Sequence, residues 1–202
     1  VYLMLGPVSD TILVVDAEAR LQTGDGGDAL GVAVASAGDA TGDGRDDLLV
    51  GAPRRATAAG VGAGVAWLLD DMPAGAPRIA DVAASEFRGG DSEDGLGAAL
   101  SAAGDVDADG VGDVILGGPG QTGAGAAWLV HGPVAGGTAS IGDVAVRFSG
   151  GSAKARAGSA VAAAGDLNGD GLDDVAIGEP GLTPVGGDPA AGAVILLPGA
   201  GF

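Results

Sequence analysis

Residues 104–120 read GDVDADGVGDVILGGPG, and this stretch decides the fold. Four aspartates, Asp105, Asp107, Asp109 and Asp113, occupy odd positions within nine residues, and the apolar run Val114–Leu116 follows at once. Like charges crowded against a segment bound for burial need a reason. The first clue is that the stretch is not alone. LGVAVASAGDATGDGRDDLLVGAP (30–53), LGAALSAAGDVDADGVGDVILGGP (96–119) and AGSAVAAAGDLNGDGLDDVAIGEP (157–180) align throughout, their first aspartates being Asp39, Asp105 and Asp166. An internal repeat of this kind overrides any local reading of the fold.

The likeness continues past the acidic loop. Each copy has a Gly/Ala turn and then an apolar run: GAGVAWLLD (62–70), GAGAAWLVHG (123–132) and AGAVILLPG (191–199). Trp67 and Trp128 take equivalent places, as do Phe87 and Phe148 at the ends of RIADVAASEFRGGD and IGDVAVRFSGG. TILVVDAEARLQTGD (11–25) is the N-terminal counterpart of those last two segments. Short apolar runs bounded by Gly, Pro and Asp are strand signals, and no stretch has helical period.

Each period therefore predicts four strands. A small-residue first strand covers 31–37, 97–103 and 158–164, and a second follows the acidic loop at 48–51, 114–117 and 175–178. A third carries Trp67, Trp128 or Ile195, and the fourth is the DVAxxxF segment. The expectation is an all-β chain of four-stranded antiparallel propeller blades. Residues 1–30 would close a preceding blade, 31–96 and 97–157 would be whole blades, and 158–202 a partial one. About three blades cannot close a ring of 4 to 8. VYLMLGP begins in mid-blade without an initiator methionine or a leader pattern, which reads as a piece of a longer chain, or one whose ring is completed by identical chains.

Composition narrows the function. Nine basic residues against 27 acidic ones, a net charge of -18, exclude a phosphate-binding footprint and hence a nucleic-acid partner. The absence of cysteine removes disulfides and thiolate metal sites, and no apolar run is long enough to insert in a membrane. With 47% hydrophobic residues the chain is no solvated coil, despite 42 glycines in 202 residues.

The loops then read as cation sites. Counting the first aspartate as position 1, oxygen donors fall at 1, 3, 5 and 9, and position 7 offers its backbone carbonyl. The candidate ligands are Asp39, Thr41, Asp43, Arg45 (carbonyl) and Asp47, then Asp105, Asp107, Asp109, Val111 (carbonyl) and Asp113, then Asp166, Asn168, Asp170, Leu172 (carbonyl) and Asp174. Hard cations such as Ca²⁺ take 6 to 8 oxygens of these types. Position 3 varies as Thr, Asp, Asn, all oxygen donors, which favours coordination over a merely polar turn. Three such ions would bring the formal charge from -18 to about -12. An EF-hand is excluded because position 12 is Val50, Leu116 or Ile177 where it needs a bidentate Glu. Asp46 and Asp173, at position 8, are read as pointing away from the ion.

These motifs resemble the FG-GAP repeat, the blade unit of the integrin α-subunit propeller and of many bacterial surface proteins. Its Gly-Ala-Pro element stands unaltered at Gly51-Ala52-Pro53 and varied at Gly117-Gly118-Pro119 and Gly178-Glu179-Pro180. Its Phe-Gly element appears as Leu30-Gly31, Leu96-Gly97 and Ala157-Gly158, without the aromatic. The resemblance implies Ca²⁺ between the first and second strands of each blade, about three structural ions in all. It implies an adhesion, interaction or assembly role, with a protein or glycan ligand and an extracellular or cell-surface location.

No catalytic residues are assigned, and the chain is read as a non-enzyme. His131 is the sole histidine, no G-x-S-x-G element accompanies it, and its place before Gly132-Pro133 predicts a surface turn. The clustered aspartates are taken by the loops. Trp67 and Trp128 are read as packing between blades rather than as sugar platforms. A second expectation is an accessory propeller, possibly carbohydrate-binding, attached to a larger secreted enzyme.

Overall fold

The computed structural model describes residues 1–4, 6, 13, 17–120 and 123–199. Antiparallel sheets dominate, and the repeats appear as successive blades. The first blade holds β3 (Val34–Gly38), β4 (Asp47–Ala52), β5 (Val65–Leu69) and β6 (Ser85–Arg88). The middle blade holds β7 (Ala99–Gly104), β8 (Asp113–Gly118), β9 (Ala126–Val130) and β11 (Val146–Ser149). The third has β12 (Ala160–Gly165), β13 (Asp174–Glu179) and β14 (Ala193–Leu197), in hydrogen-bonded order 12-13-14. Ahead of these, β1 (Tyr2–Leu3) and β2 (Ala19–Arg20) pair antiparallel as a third- and fourth-type strand should. The predicted N-terminal fourth strand falls partly outside the described residues (11, 12 and 14–16), as does the chain end at 200–202.

Second and third strands of the first and middle blades are apolar on both faces because each of those blades is sandwiched. Leu49, Ala66, Leu68 and Phe87 of the first blade pack against Val114, Leu116, Ala126, Trp128 and Val130 of the middle one. The opposite face of the middle blade, Ile115, Ala127 and Leu129, packs on Val175 and Ile177. Val50, Val65, Trp67 and Leu69 meet Leu21, Val1 and Leu3 ahead of them. Each fully buried aliphatic side chain contributes about 1.5–3 kcal/mol. Both tryptophans lie in these seams, 0% and 2% exposed, as the sequence predicts.

Close approach explains the glycine of Gly-Ala-Pro. A Cβ on Gly51 would collide with the carbonyl of Gly97, and one on Gly117 with that of Gly158, where the next blade's first strand begins. The position of the missing aromatic is still a packing position, since Leu96 and Ala157 are buried.

Two features depart from the predicted strands. The DVA portion of the fourth segment is not extended: Ile79–Asp81 forms a 3₁₀ turn and Ile141–Val144 a single helical turn, α1. Each turn drives its isoleucine into the seam with the preceding blade, leaving Ile79 0% and Ile141 1% exposed. The strand proper is only the four residues after it. The second departure is β10 (Gly137–Ser140), which pairs parallel with β6 of the blade before. Isolated bridges from Gly75 to Ala19 and from Arg78 to Gln22 repeat this crossing one blade earlier. Each linker thus laces its blade to the previous one.

Candidate functional site

The acidic loops 39–47, 105–113 and 166–174 each join a first strand to a second, and each is built the same way. A carboxylate at position 1 folds the loop around itself. Asp105 accepts from the backbone N–H of Asp109 (3.1 Å) and Gly110 (3.0 Å), and Asp166 from Gly169 (2.6 Å), Asp170 (3.1 Å) and Gly171 (3.0 Å). Asp39 accepts from Gly44 at 2.9 Å, while its Oδ1 is buried without a hydrogen-bond partner among the described residues. Position 5 accepts from the N–H of position 7: Asp43 from Arg45 (2.9 Å), Asp109 from Val111 (2.8 Å) and Asp170 from Leu172 (2.9 Å). Position 3 joins through Asp107 and Asn168, each accepting from the position-5 N–H. Such local turns are what Asp and Asn form readily. They engage both oxygens of Asp105 and Asp166 and one oxygen of the side chains at positions 3 and 5, and each carboxylate oxygen has a further lone pair for the loop centre.

Position 9 has a different task. The Asp47, Asp113 and Asp174 side chains reach under the loop and accept from the N–H of position 2: Ala40 (2.9 Å), Val106 (2.8 Å) and Leu167 (2.8 Å). Asp113 and Asp174 also accept from Gly132 and Gly199, both at 2.8 Å, tying the loop to the end of the third strand. In the first loop Thr41 supplies its N–H to Asp47 instead. All three carboxylates are buried, Asp113 completely. Desolvation raises Asp47 and Asp113 above the usual carboxylate range, against the N–H bonds that lower them.

The middle loop brings Asp105, Asp107 and Asp109 together, with one oxygen from each within 4.8 Å of the others. Asp113 stands apart from that trio and shares a second group with Asp107 and His131. In the first loop Arg45 bends back onto position 5, its Nη2 2.7 Å from Asp43 Oδ2. The hydrogen bonds from Arg45 hold the Asp43 carboxyl below its ordinary range. In the third loop Asn168 Nδ2 donates to Asp170 Oδ2 at 2.8 Å. The donor set of all three loops is oxygen only, which fits a hard divalent cation.

Neighbouring loops are also joined. Asp173, read from sequence as pointing away from its own loop, accepts from the N–H of Asp105 at 3.0 Å, so the position-8 carboxylate caps the loop of the blade before. Gly112 N–H donates to Asp39 carbonyl (3.1 Å), and Asp173 N–H to Asp105 carbonyl (3.2 Å). His131 corrects the surface-turn expectation. Its side chain is 25% exposed, but both ring nitrogens are buried, because the turn that follows β9 folds over the middle loop.

Blades of four antiparallel strands, stacked face to face and carrying one such loop each, define a segment of a β-propeller. The FG-GAP repeat family model matches residues 30–69 and 157–197, and the chain carries FG-GAP repeats at those residues. The middle repeat lies between the two matches and keeps their strand register. A search of curated proteins returns no match.

Proposed function

We propose that this chain is a calcium-stabilised propeller segment of an exported or cell-surface protein, serving as a scaffold for adhesion or assembly. The observation that carries the reading is the shared loop design, in which position 1 gathers backbone N–H groups, together with the convergence of the Asp105, Asp107 and Asp109 oxygens in the middle loop. The buried, unpartnered Asp39 Oδ1 fits the same role in the first loop. A cation offsets the mutual repulsion of these carboxylates, and rigid loops in turn hold adjacent blades through Asp173 and Gly112. FG-GAP repeats occur mostly in extracellular or cell-surface proteins. Millimolar-range calcium modules suit that setting, with Kd of about 10⁻⁴ to 10⁻³ M.

The role is non-catalytic in this reading. An accessory propeller attached to a larger secreted enzyme remains the second proposal. A sugar-binding version of it loses Trp67 and Trp128 as platforms, since both are buried in seams, and keeps Tyr2, which is 44% exposed. Partners are a protein or glycan ligand together with neighbouring blades, from the parent chain or an identical one. Val194 and Leu196 support a neighbouring blade from either source, being 67% and 58% exposed at positions that are buried in the other blades.

Removing calcium tests the proposal. A site held at about 100-fold over its Kd stabilises by about 2.7 kcal/mol, which at this size moves Tm by about 5–10 °C per site. Thermal melts and limited proteolysis with Ca²⁺ and with EDTA should differ by at least that much. Identical melts and identical proteolysis overturn the calcium reading.

A further inference from the structure

The three blades differ at the residue following the third strand. Aligned through Trp67, Trp128 and Ile195, that place holds Asp70, His131 and Pro198. Only the middle blade puts an imidazole there. His131 Nδ1 lies 3.2 Å from Asp107 Oδ2 and 3.6 Å from Asp113 Oδ1. The three ligand atoms come from the loop, the base of β8 and the end of β9, and all lie within 4.8 Å of one another.

Two further facts mark this group as more than an acidic cluster. Both nitrogens of His131 are buried with no hydrogen-bond partner among the described residues, although Nδ1 points between two carboxylates. Asp113 is fully buried and clamped by the N–H groups of Val106 and Gly132, so its orientation is set before any ligand arrives. Each of its oxygens keeps a second lone pair. Two atoms each about 2.1 Å from a tetrahedral ion stand about 3.4 Å apart, and the two observed separations bracket that value. A nitrogen donor also changes the chemistry: imidazole suits zinc-type ions, whereas Ca²⁺ takes oxygen alone.

We propose that the middle loop binds one zinc-type transition ion through His131 Nδ1, Asp107 and Asp113, with water completing the shell, and that neither sister loop does. The site shares Asp107 and Asp113 with the calcium reading of that loop, so Zn²⁺ and Ca²⁺ compete there alone. His131 is the residue that sets the preference.

Calorimetric titration of the whole chain with Zn²⁺, and Co²⁺ absorption as a spectroscopic stand-in, tests this. One Zn²⁺ should bind per chain, and Co²⁺ should show the intense visible bands of a four-coordinate N/O site. His131→Ala removes a direct ligand and should weaken Zn²⁺ by at least the roughly 10- to 100-fold that losing an outer-shell partner costs, while leaving Ca²⁺ stoichiometry unchanged. Asp109→Ala should weaken Ca²⁺ in the middle loop and spare Zn²⁺. If His131→Ala does not fold, His131→Gln and the Co²⁺ spectrum of the unaltered chain decide. Zn²⁺ binding that is indifferent to position 131, absent, or spread over three equivalents overturns the site and leaves His131 as an ion-pair partner. Should Zn²⁺ bind at His131 while EDTA and Ca²⁺ leave the melt unmoved, the calcium reading fails and this one stands. The reverse result separates them the other way.

Discussion

Leu129 and Leu196 hold the same place in the middle and third blades, paired across the sheet with Ile115 and Ala176. One is 0% exposed and the other 58%. The same contrast separates Ala127 from Val194. Strand chemistry is therefore common to the blades, and what differs is the neighbour. The third blade turns to solvent, among the described residues, a face whose side chains are those of a packed seam. An apolar strand in this fold records the blade it meets as much as the sheet it belongs to.

The largest test of that contrast is truncation. Leu129→Ala opens a cavity in a seam and should cost about 2–5 kcal/mol in denaturant unfolding. Leu196→Ala, on the exposed face, should stay within about 0.5 kcal/mol. Equal losses would show that the third face is covered in solution, and sedimentation of the chain would then reveal whether a second copy covers it.

The loops sharpen the comparison at smaller scale. Arg45 already supplies a positive group to the first loop, within 2.7 Å of Asp43. Arg45→Gln should strengthen Ca²⁺ at that loop by up to about fivefold, the modest scale of an exposed ion pair. The middle and third loops should not respond. Unchanged affinity would mean that Arg45 swings clear when the ion binds.

The smallest effect concerns pH. Asp94 sits where the middle blade's entry turn meets Gly120, and burial raises its carboxyl above the model-compound value of 3.8. A carboxyl raised on folding favours the folded state below its unfolded pKa, and the contribution is lost as pH rises through the folded value. Stability from this group thus falls as pH rises above the ordinary value of 3.8 and through the raised folded value. Asp94→Asn keeps an oxygen for the Asp91 N–H (2.8 Å) and should flatten that slope in calcium-free melts. A slope identical to the unaltered chain's would assign it to other groups.

Much of this was legible in residues. Alternating Gly, Asp and apolar runs dictate short strands, and three aligned loops reveal a recurring oxygen-donor spacing that a single loop would leave ambiguous. Periodicity missed the turns at Ile79 and Ile141, because DVA has strand-like composition and only the seam it must fill bends it. The parallel crossing of β10 was equally hidden, since GTAS carries no signal for which blade it will join.

By itself the sequence determined the repeat, the all-β blades, the likeness to FG-GAP repeats and the oxygen donors at fixed spacing. These follow from local chain chemistry: glycine for close approach and aspartate for the turns. Tertiary structure alone decided that Asp173 caps a neighbour's loop, that position 9 anchors rather than joins the Asp105 trio, and that His131 faces Asp107 and Asp113. Those relations join residues 18 to 68 positions apart or lie across a blade boundary. Pairing of β8 with β9 brings His131 and Gly132 to Asp113, and stacking of blades brings Asp173 to Asp105.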